Sequence, residues 1–395
     1  MPKLSPNLSG KINSKIKNLP SSQIRSFSKG IAQIPEIIML TVGEPDLNTP
    51  EHIKQAAITA IEDNDSHYAP EAGKMAYLTA VSTYLQESLG VSYDPKSEIC
   101  ATVGVSGGLN VTFMALFNQG DKVIVPTPVW EVYFGIIKMA GGVPIQVDTS
   151  ADNFILTAEK LTQTLENEGN GAKAVVLTDP SNPTGRVYAQ SELKALAQVI
   201  TAYGLYAVSD EIYAELTYDH KKHYSLTQII PDRTILVSGL SKSFAMTGWR
   251  IGYIAGPAEI MAAIIKINSF LITSVTDNVQ AAATEGLRAG EKDYAAARAT
   301  YGKRLHIVQT GLEQNGFEMA VPEGAFYIFA KIPSAFGSDD VAFANDLATK
   351  AKVGVVPGSY FGAGGQGYVR LSYASSEEKL QTAVDRITNY VKQSL

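Results

Sequence analysis

The sequence predicts an α/β protein: a large unit built on a mainly parallel sheet flanked by helices, joined to a smaller α+β unit. Three observations lead there. From about residue 46 to 290, short aliphatic runs alternate with stretches of helical periodicity, the rhythm of βαβ units. Beyond a long helical stretch the pattern changes to alternating apolar and polar residues. The chain of 395 residues also exceeds what one core usually holds, since domains run to roughly 100–250 residues.

The elements follow in order. Ile99 to Val103 reads as a strand that buries the single cysteine, Cys100, as a small hydrophobe. "GVSGG" (104–108) then reads as a glycine-bearing loop opening a helix, where backbone N–H groups can cradle a phosphate. "KVIVP" (122–126), "KAVVLTDP" (173–180), "LYAVSDE" (205–211) and "TILVSG" (234–239) read as buried strands. "SELKALAQVITAYG" (191–204) reads as a helix with Ser191 as N-cap and Gly204 as C-cap. "YAAARATYGKRLHIVQTGLEQNG" (294–316) reads as one long helix. "GAFYIFAKIP" and "GYVRLSYA" read as strands with one solvated face, followed by an amphipathic C-terminal helix. The expected division is an N-terminal segment, 1–45, packing with the smaller unit, a large unit over 46–295 and a small unit over 296–395.

Composition narrows the function. With 45% hydrophobic residues, 18% charged residues and a net charge of −6, the chain carries no electrostatic footprint for nucleic acid or an anionic membrane. No run approaches the ~18 apolar residues of a membrane-spanning helix. The first twenty residues lack the apolar stretch of a secretory signal. One cysteine rules out an internal disulfide framework and fits a reducing compartment, so a cytoplasmic protein is expected. No repeat, low-complexity segment or metal site is read from the sequence.

In an open parallel sheet, ligands bind beyond the carboxyl ends of the strands. Four consecutive strand ends deliver polar groups there: the 104–108 loop, Asn182 in "NPTG", Asp210 with Tyr213 in "DEIY", and Lys242, with Arg250 eight residues on. Taken singly, most have an ordinary reading. Asn-Pro initiates turns, an aspartate after a strand caps a helix, and an arginine pairs with a surface acid. No Gly-Lys-Ser/Thr follows the glycine loop, so it is not a P-loop. Lys242 is different, because it sits among small residues at a strand end. Desolvation there would lower its pKa, as a nucleophilic amine requires. "GAGGQG" (362–367) matches G-x-G-x-x-G, but a strand follows it rather than a helix, so it reads as a loop.

Together these segments resemble the class I aminotransferases, pyridoxal-phosphate enzymes of the aspartate aminotransferase superfamily with fold type I. "TVGEPDLNTP", "SHYAPEAGK", "PTPVWEVY", "DPSNPTGRVY", "VSDEIYAELTYD", "SGLSKSFAMTGWRIGY", "PEGAFYIF", "VVPGSYFG" and "GYVRLSYA" carry the resemblance, in the family's order. It is strongest to the prokaryotic branch of aspartate, aromatic and related aminotransferases. The resemblance implies pyridoxal 5'-phosphate held covalently by Lys242, whose freed amine then moves the substrate's Cα proton. It implies Asp210 at the pyridine nitrogen, and Tyr213 and Asn182 at the ring's phenolic oxygen. Arg250 would meet the phosphate together with Val105, Ser106 and Gly107, and Trp130 would stack on the ring. Arg370 would clamp the substrate carboxylate beside Asn182, Trp130 and the Gly43 backbone. Tyr68 would reach the phosphate of a neighbouring subunit, which implies a homodimer with shared active sites.

Two positions depart from the family pattern. Gly239 stands where many relatives have serine, and Val105 where glycine is common. The implied activity is transfer of an amino group from an L-amino acid, aspartate or aromatic as first expectation, to a 2-oxo acid such as 2-oxoglutarate. A β-lyase is the alternative on the same scaffold. From other classes, the glycine motif would suggest a nicotinamide dehydrogenase, and a ligand-binding module without catalysis is a third reading. Aspartate, aromatic amino acids, alanine and a diaminopimelate derivative all stay open as substrates.

Overall fold

Thirteen strands organise the computed structural model, which describes residues 2–394 except 220, and residue 15 by its backbone alone. They are β1 (Ile38–Met39), β2 (Ile99–Thr102), β3 (Lys122–Thr127), β4 (Val143–Asp148), β5 (Ala174–Thr178), β6 (Tyr206–Asp210), β7 (Thr234–Gly239), β8 (Gly252–Ala255), β9 (Glu318–Met319), β10 (Tyr327–Lys331), β11 (Val353–Gly354), β12 (Val356–Pro357) and β13 (Tyr368–Ser372). Seven form the large sheet, in the order β2-β8-β7-β6-β5-β3-β4. β8 pairs antiparallel with both neighbours, and the other pairings are parallel. Val123, Val175, Val208, Ile235 and Ile254 are fully or almost fully buried, as strands covered on both faces must be.

Helices seal those faces. Gly104–Leu116 crosses the sheet so closely that a Cβ on Gly108 would lie 2.9 Å from Val237 Cγ1. On the other face, Gln190–Ala202 buries Leu193, Leu196, Ala197 and Ile200. This helix starts one residue before Ser191. Its N-cap is Ala189, whose N–H donates to Glu192 Oε2 at 2.7 Å, and the helix ends at Ala202 with Tyr203 as C-cap. Glu192 thus satisfies the N–H of the cap residue from within the first turn, and no side-chain oxygen caps the helix at Ala189 itself. Gly204 follows in a left-handed conformation, φ +66°.

A second sheet, β12-β13-β10-β9, is antiparallel throughout. Ile328, Ala330, Val369 and Leu371 pack with residues of the helices Glu291–Glu313 and Glu377–Ser394. The opposite face is not solvated as the alternation suggested. Phe329 stacks on Tyr368 at 5.0 Å between ring centroids, and Phe154, from the connection after β4, meets both rings edge-on. The connection after β4 therefore covers that face. β1 joins β11 in a parallel pair, attaching the N-terminal segment to the C-terminal part of the chain. Gly362, Gly364 and Gly367 lie between a 3-10 turn and β13, in a loop as expected. No helix among the described residues is long and apolar enough to cross a membrane.

Candidate active site

The parallel strands of the large sheet direct their carboxyl ends to one edge, where a cavity of about 550 Å³ opens. Thr178 and Asp210, register partners at the ends of β5 and β6, both line it. Lys242 follows β7, and Val105 and Ser106 open the helix after β2. β8 runs the other way, so its beginning lies on this edge, and Arg250 stands two residues before it. β13 of the second sheet contributes Arg370 from across the cavity, and Thr41, Val42 and Gly43 close the wall. Of the residues singled out in the sequence, Gly43, Val105, Ser106, Trp130, Asn182, Asp210, Tyr213, Lys242, Arg250 and Arg370 all border this space.

Two do not. Gly107 lies within the helix Gly104–Leu116. Helix geometry frees the N–H groups only up to the third helical residue, so that of Gly107 already points back into the helix. Tyr68 is 86% exposed and away from the cavity in the single chain.

The charges are set by burial. Lys242 Nζ donates to Gly43 O at 2.6 Å. Desolvation brings its pKa down to about 8, against the pull of Glu44, with Arg370 and Arg250 lowering it further. Burial pushes Asp210 up to about 6, although Tyr133 Oη donates to Oδ2 at 2.5 Å and Ile212 N–H to Oδ1 at 3.2 Å. Tyr213 Oη lies 2.8 Å from Tyr327 Oη, and burial first, then Tyr327, raises its pKa well above the phenol range. Arg370 is 3% exposed. Its guanidinium donates to Asn182 Oδ1 at 3.0 Å and Thr41 O at 2.5 Å, and lies over the rings of Tyr327 and Phe361 at 4.5 and 4.9 Å. A guanidinium has five N–H donors, so three remain for a ligand.

At the opposite end the wall is shaped for an anion. Arg250 adopts a left-handed backbone, φ +57°, and donates to Thr247 O at 2.8 Å. Its guanidinium fills the space beside Gly104, where a Cβ would come within 2.5 Å of Nη2. No carboxylate pairs with Arg250 among the described residues. An unpaired cation at a helix N-terminus favours phosphate.

The two departures can be placed. A Cβ on Gly239 would lie 2.8 Å from Ile251 O, so a serine does not fit this backbone. Ser238 turns away and donates to Glu211 O at 3.0 Å. Ser241, beside Lys242, lines the cavity instead, and Val105 presents a buried side chain there. Sequence reasoning also missed Tyr133, Tyr327 and Thr41. Both tyrosines fall inside motifs quoted above, but in apolar surroundings that read as core.

The sequence profile of "Aminotransferase class I and II" matches residues 35–387. The chain belongs to this family. A probable N-acetyl-LL-diaminopimelate aminotransferase of Bacillus subtilis is 40% identical over 96% of this chain and 95% of its own length. An aspartate aminotransferase of Geobacillus stearothermophilus is 39% identical, covering 90% and 92%. Among solved structures, the aspartate aminotransferase of Thermus thermophilus with maleate superimposes with a TM-score of 0.90 at 35% identity, covering 96% and 99%. This aminotransferase is therefore an enzyme with fold type I, and its class works with pyridoxal phosphate on amino acids and 2-oxo acids.

Proposed function

We propose that this aminotransferase binds pyridoxal 5'-phosphate in the cavity described above and uses it on an L-amino acid and a 2-oxo acid in turn. One observation carries the reading. A desolvated lysine, a buried aspartate and a buried arginine with spare donors, carried by three separate elements, border one cavity. The cofactor, when bound, supplies an aldehyde to carry the amino group and a ring to accept the electrons released at Cα.

The chain's residues supply the rest. Lys242 is the point of attachment and the base. With a pKa near 8, a useful fraction of its amine is neutral at physiological pH and can take a proton from Cα. Asp210 would hold a protonated ring nitrogen, which in turn would remove the cost of leaving this carboxylate buried and charged. Arg250, the Val105 and Ser106 N–H groups and the Ser106 hydroxyl receive the phosphate. Tyr213 and the Asn182 amide would hold the ring's phenolic oxygen, and Trp130 would cover its face. Arg370 takes the substrate carboxylate with its remaining donors, and Gly43 borders the same subsite.

We take residues 46–295 as the cofactor-holding unit, and 296–395 with the segment 1–45 as the unit that brings Arg370. The protein is inferred to be a cytoplasmic homodimer. Tyr68, 86% exposed, and Phe270, 82% exposed, are the kind of large aromatic surface that a second subunit covers. Borohydride treatment of the cofactor-loaded enzyme followed by peptide mapping tests the assignment. Label is expected at Lys242 alone, and label on another lysine removes it. A panel of amino donors with 2-oxoglutarate then decides between aspartate, aromatic and other substrates, and formation of ammonia and pyruvate instead would indicate a β-lyase.

A further inference from the structure

Behind the cavity wall, three buried ionisable groups meet at the ends of β5 and β6. Thr178 and Asp210 face the cavity, so strand alternation turns the next residues, Asp179 and Glu211, to the other side. They are 3% and 2% exposed. Two adjacent buried carboxylates repel unless a cation intervenes. His223, from the connection after β6, supplies one. Its Nε2 lies 2.8 Å from Glu211 Oε2 and its Nδ1 3.4 Å from Asp179 Oδ2. Nδ1 and Asp179 Oδ2 make no hydrogen bond among the described residues, so the contact between them is one of charge. The remaining carboxylate oxygens are satisfied. Glu211 Oε1 accepts from Ser209 and Ser225 hydroxyls at 2.7 and 2.6 Å, and Asp179 Oδ1 from Tyr188 N–H at 3.2 Å. An imidazole with a carboxylate beside each nitrogen is best matched as the doubly protonated cation, which presents an N–H to both.

We propose that His223 is a positioning residue for amino-group transfer: as a buried imidazolium it fastens the ends of β5 and β6 from behind and offsets the charge of Asp179 and Glu211, keeping Asp210 ionised and Asn182 in place. This rests on the roles assigned above to Asp210 and Asn182. Burial alone would discharge the ring, but Glu211 and Asp179 bring its pKa up to about 10. Asp210 feels Glu211 as a charge that raises its own pKa, beyond the larger effect of burial, while Tyr133, Ile212 N–H and Lys242 act the other way. The phenols of Tyr93 and Tyr253 also face Glu211, and burial and that carboxylate push both above their ordinary range, so they stay uncharged.

The charge balance can be tested directly. His223→Gln leaves the carboxylate pair with one more net negative charge. The acid limb of kcat/KM against pH should then move upward by about one unit, which for a limb starting near 6 lowers kcat/KM about tenfold on its acid side and about twofold at pH 7. Adding Asp179→Asn restores the original net charge while removing a further native contact. The double variant should recover most of the loss, whereas a packing role predicts a further decline. Nitrogen NMR of the cofactor-free wild type with labelled histidine needs no variant and no turnover. It should show His223 protonated at both nitrogens at pH 8, where a histidine with an ordinary pKa of roughly 6.5 is neutral. A neutral His223 at pH 8 overturns the ion-pair assignment whatever the activity of the enzyme. An unmoved acid limb in His223→Gln, or a double variant worse than the single, overturns its electrostatic role.

Discussion

Replacing Arg370 by lysine keeps a positive charge and removes a geometry. The arginine lies over the rings of Tyr327 and Phe361, with one terminal nitrogen on Asn182 and the other on Thr41 O. Those bonds fix the plane of its three remaining N–H donors, so a substrate carboxylate meets a preset fork. A lysine offers one nitrogen on a flexible stem and cannot reach Asn182, Thr41 and a substrate with the same angles. Disrupting such a desolvated charge pair costs about 2–5 kcal/mol, which corresponds to roughly 30- to 5,000-fold in kcat/KM. Because every amino acid presents the same α-carboxylate, the loss should be similar for acidic, aromatic and small neutral donors. It should appear in both KM and kcat, since Asn182 loses its partner as well. Steady-state kinetics of Arg370→Lys with one donor from each class is the assay. A loss confined to acidic donors would place Arg370 at the side-chain end of the substrate and refute the clamp.

Three further outcomes are expected. Asp210→Asn should still bind cofactor but slow Cα proton removal by about 10²–10⁴-fold, because an amide cannot balance a ring-nitrogen charge; single-turnover rates near wild type would reduce Asp210 to a structural group. Lys242→Met should stabilise the cofactor-free protein at pH 7 but not near pH 11. The folded pKa, about 8, lies below the unfolded one, so burying the ammonium costs stability below pH 8 and that cost disappears as pH rises toward 10.5; thermal melts of both proteins across this range check the sign. Gly43→Ala should lower both the melting temperature and affinity for amino acids, since its Cβ would come within 1.8 Å of Tyr327 Oη. The strain is expected to cost about 1–3 kcal/mol, and unchanged melting would show that the segment moves freely.

Much of the site was legible because the parallel sheet converts sequence position into spatial position. Asn182, Asp210 and Lys242 follow apolar runs, and runs that end together put their next residues together. The strand 234–239 appears as read. What escaped notice depends on groups brought from elsewhere. The hydroxyls of Tyr133 and Tyr327 find Asp210 and Tyr213 only after folding, 77 and 114 residues away in sequence, and a tyrosine in an apolar run is otherwise an ordinary core residue. Alternation in "YIFAK" correctly separated two faces. It could not reveal that Phe154, 175 residues earlier in the chain, would cover the second one. Ser191 was a reasonable cap by residue type, but Glu192 reached back to Ala189 and began the helix earlier.

The bond from Arg370 to Thr41 spans 329 residues, and this imposes an order on the birth of the enzyme. The groups assigned to the cofactor, from Val105 to Arg250, belong to one continuous stretch that leaves the ribosome well before β13 is made. Domains form during synthesis from the N-terminal side, and contacts between distant residues are the slow ones to close. On the roles proposed above, the residues for the cofactor are made before the one for the substrate carboxylate. A product truncated before β13 retains Lys242 but lacks Arg370, and with it the clamp proposed for the substrate.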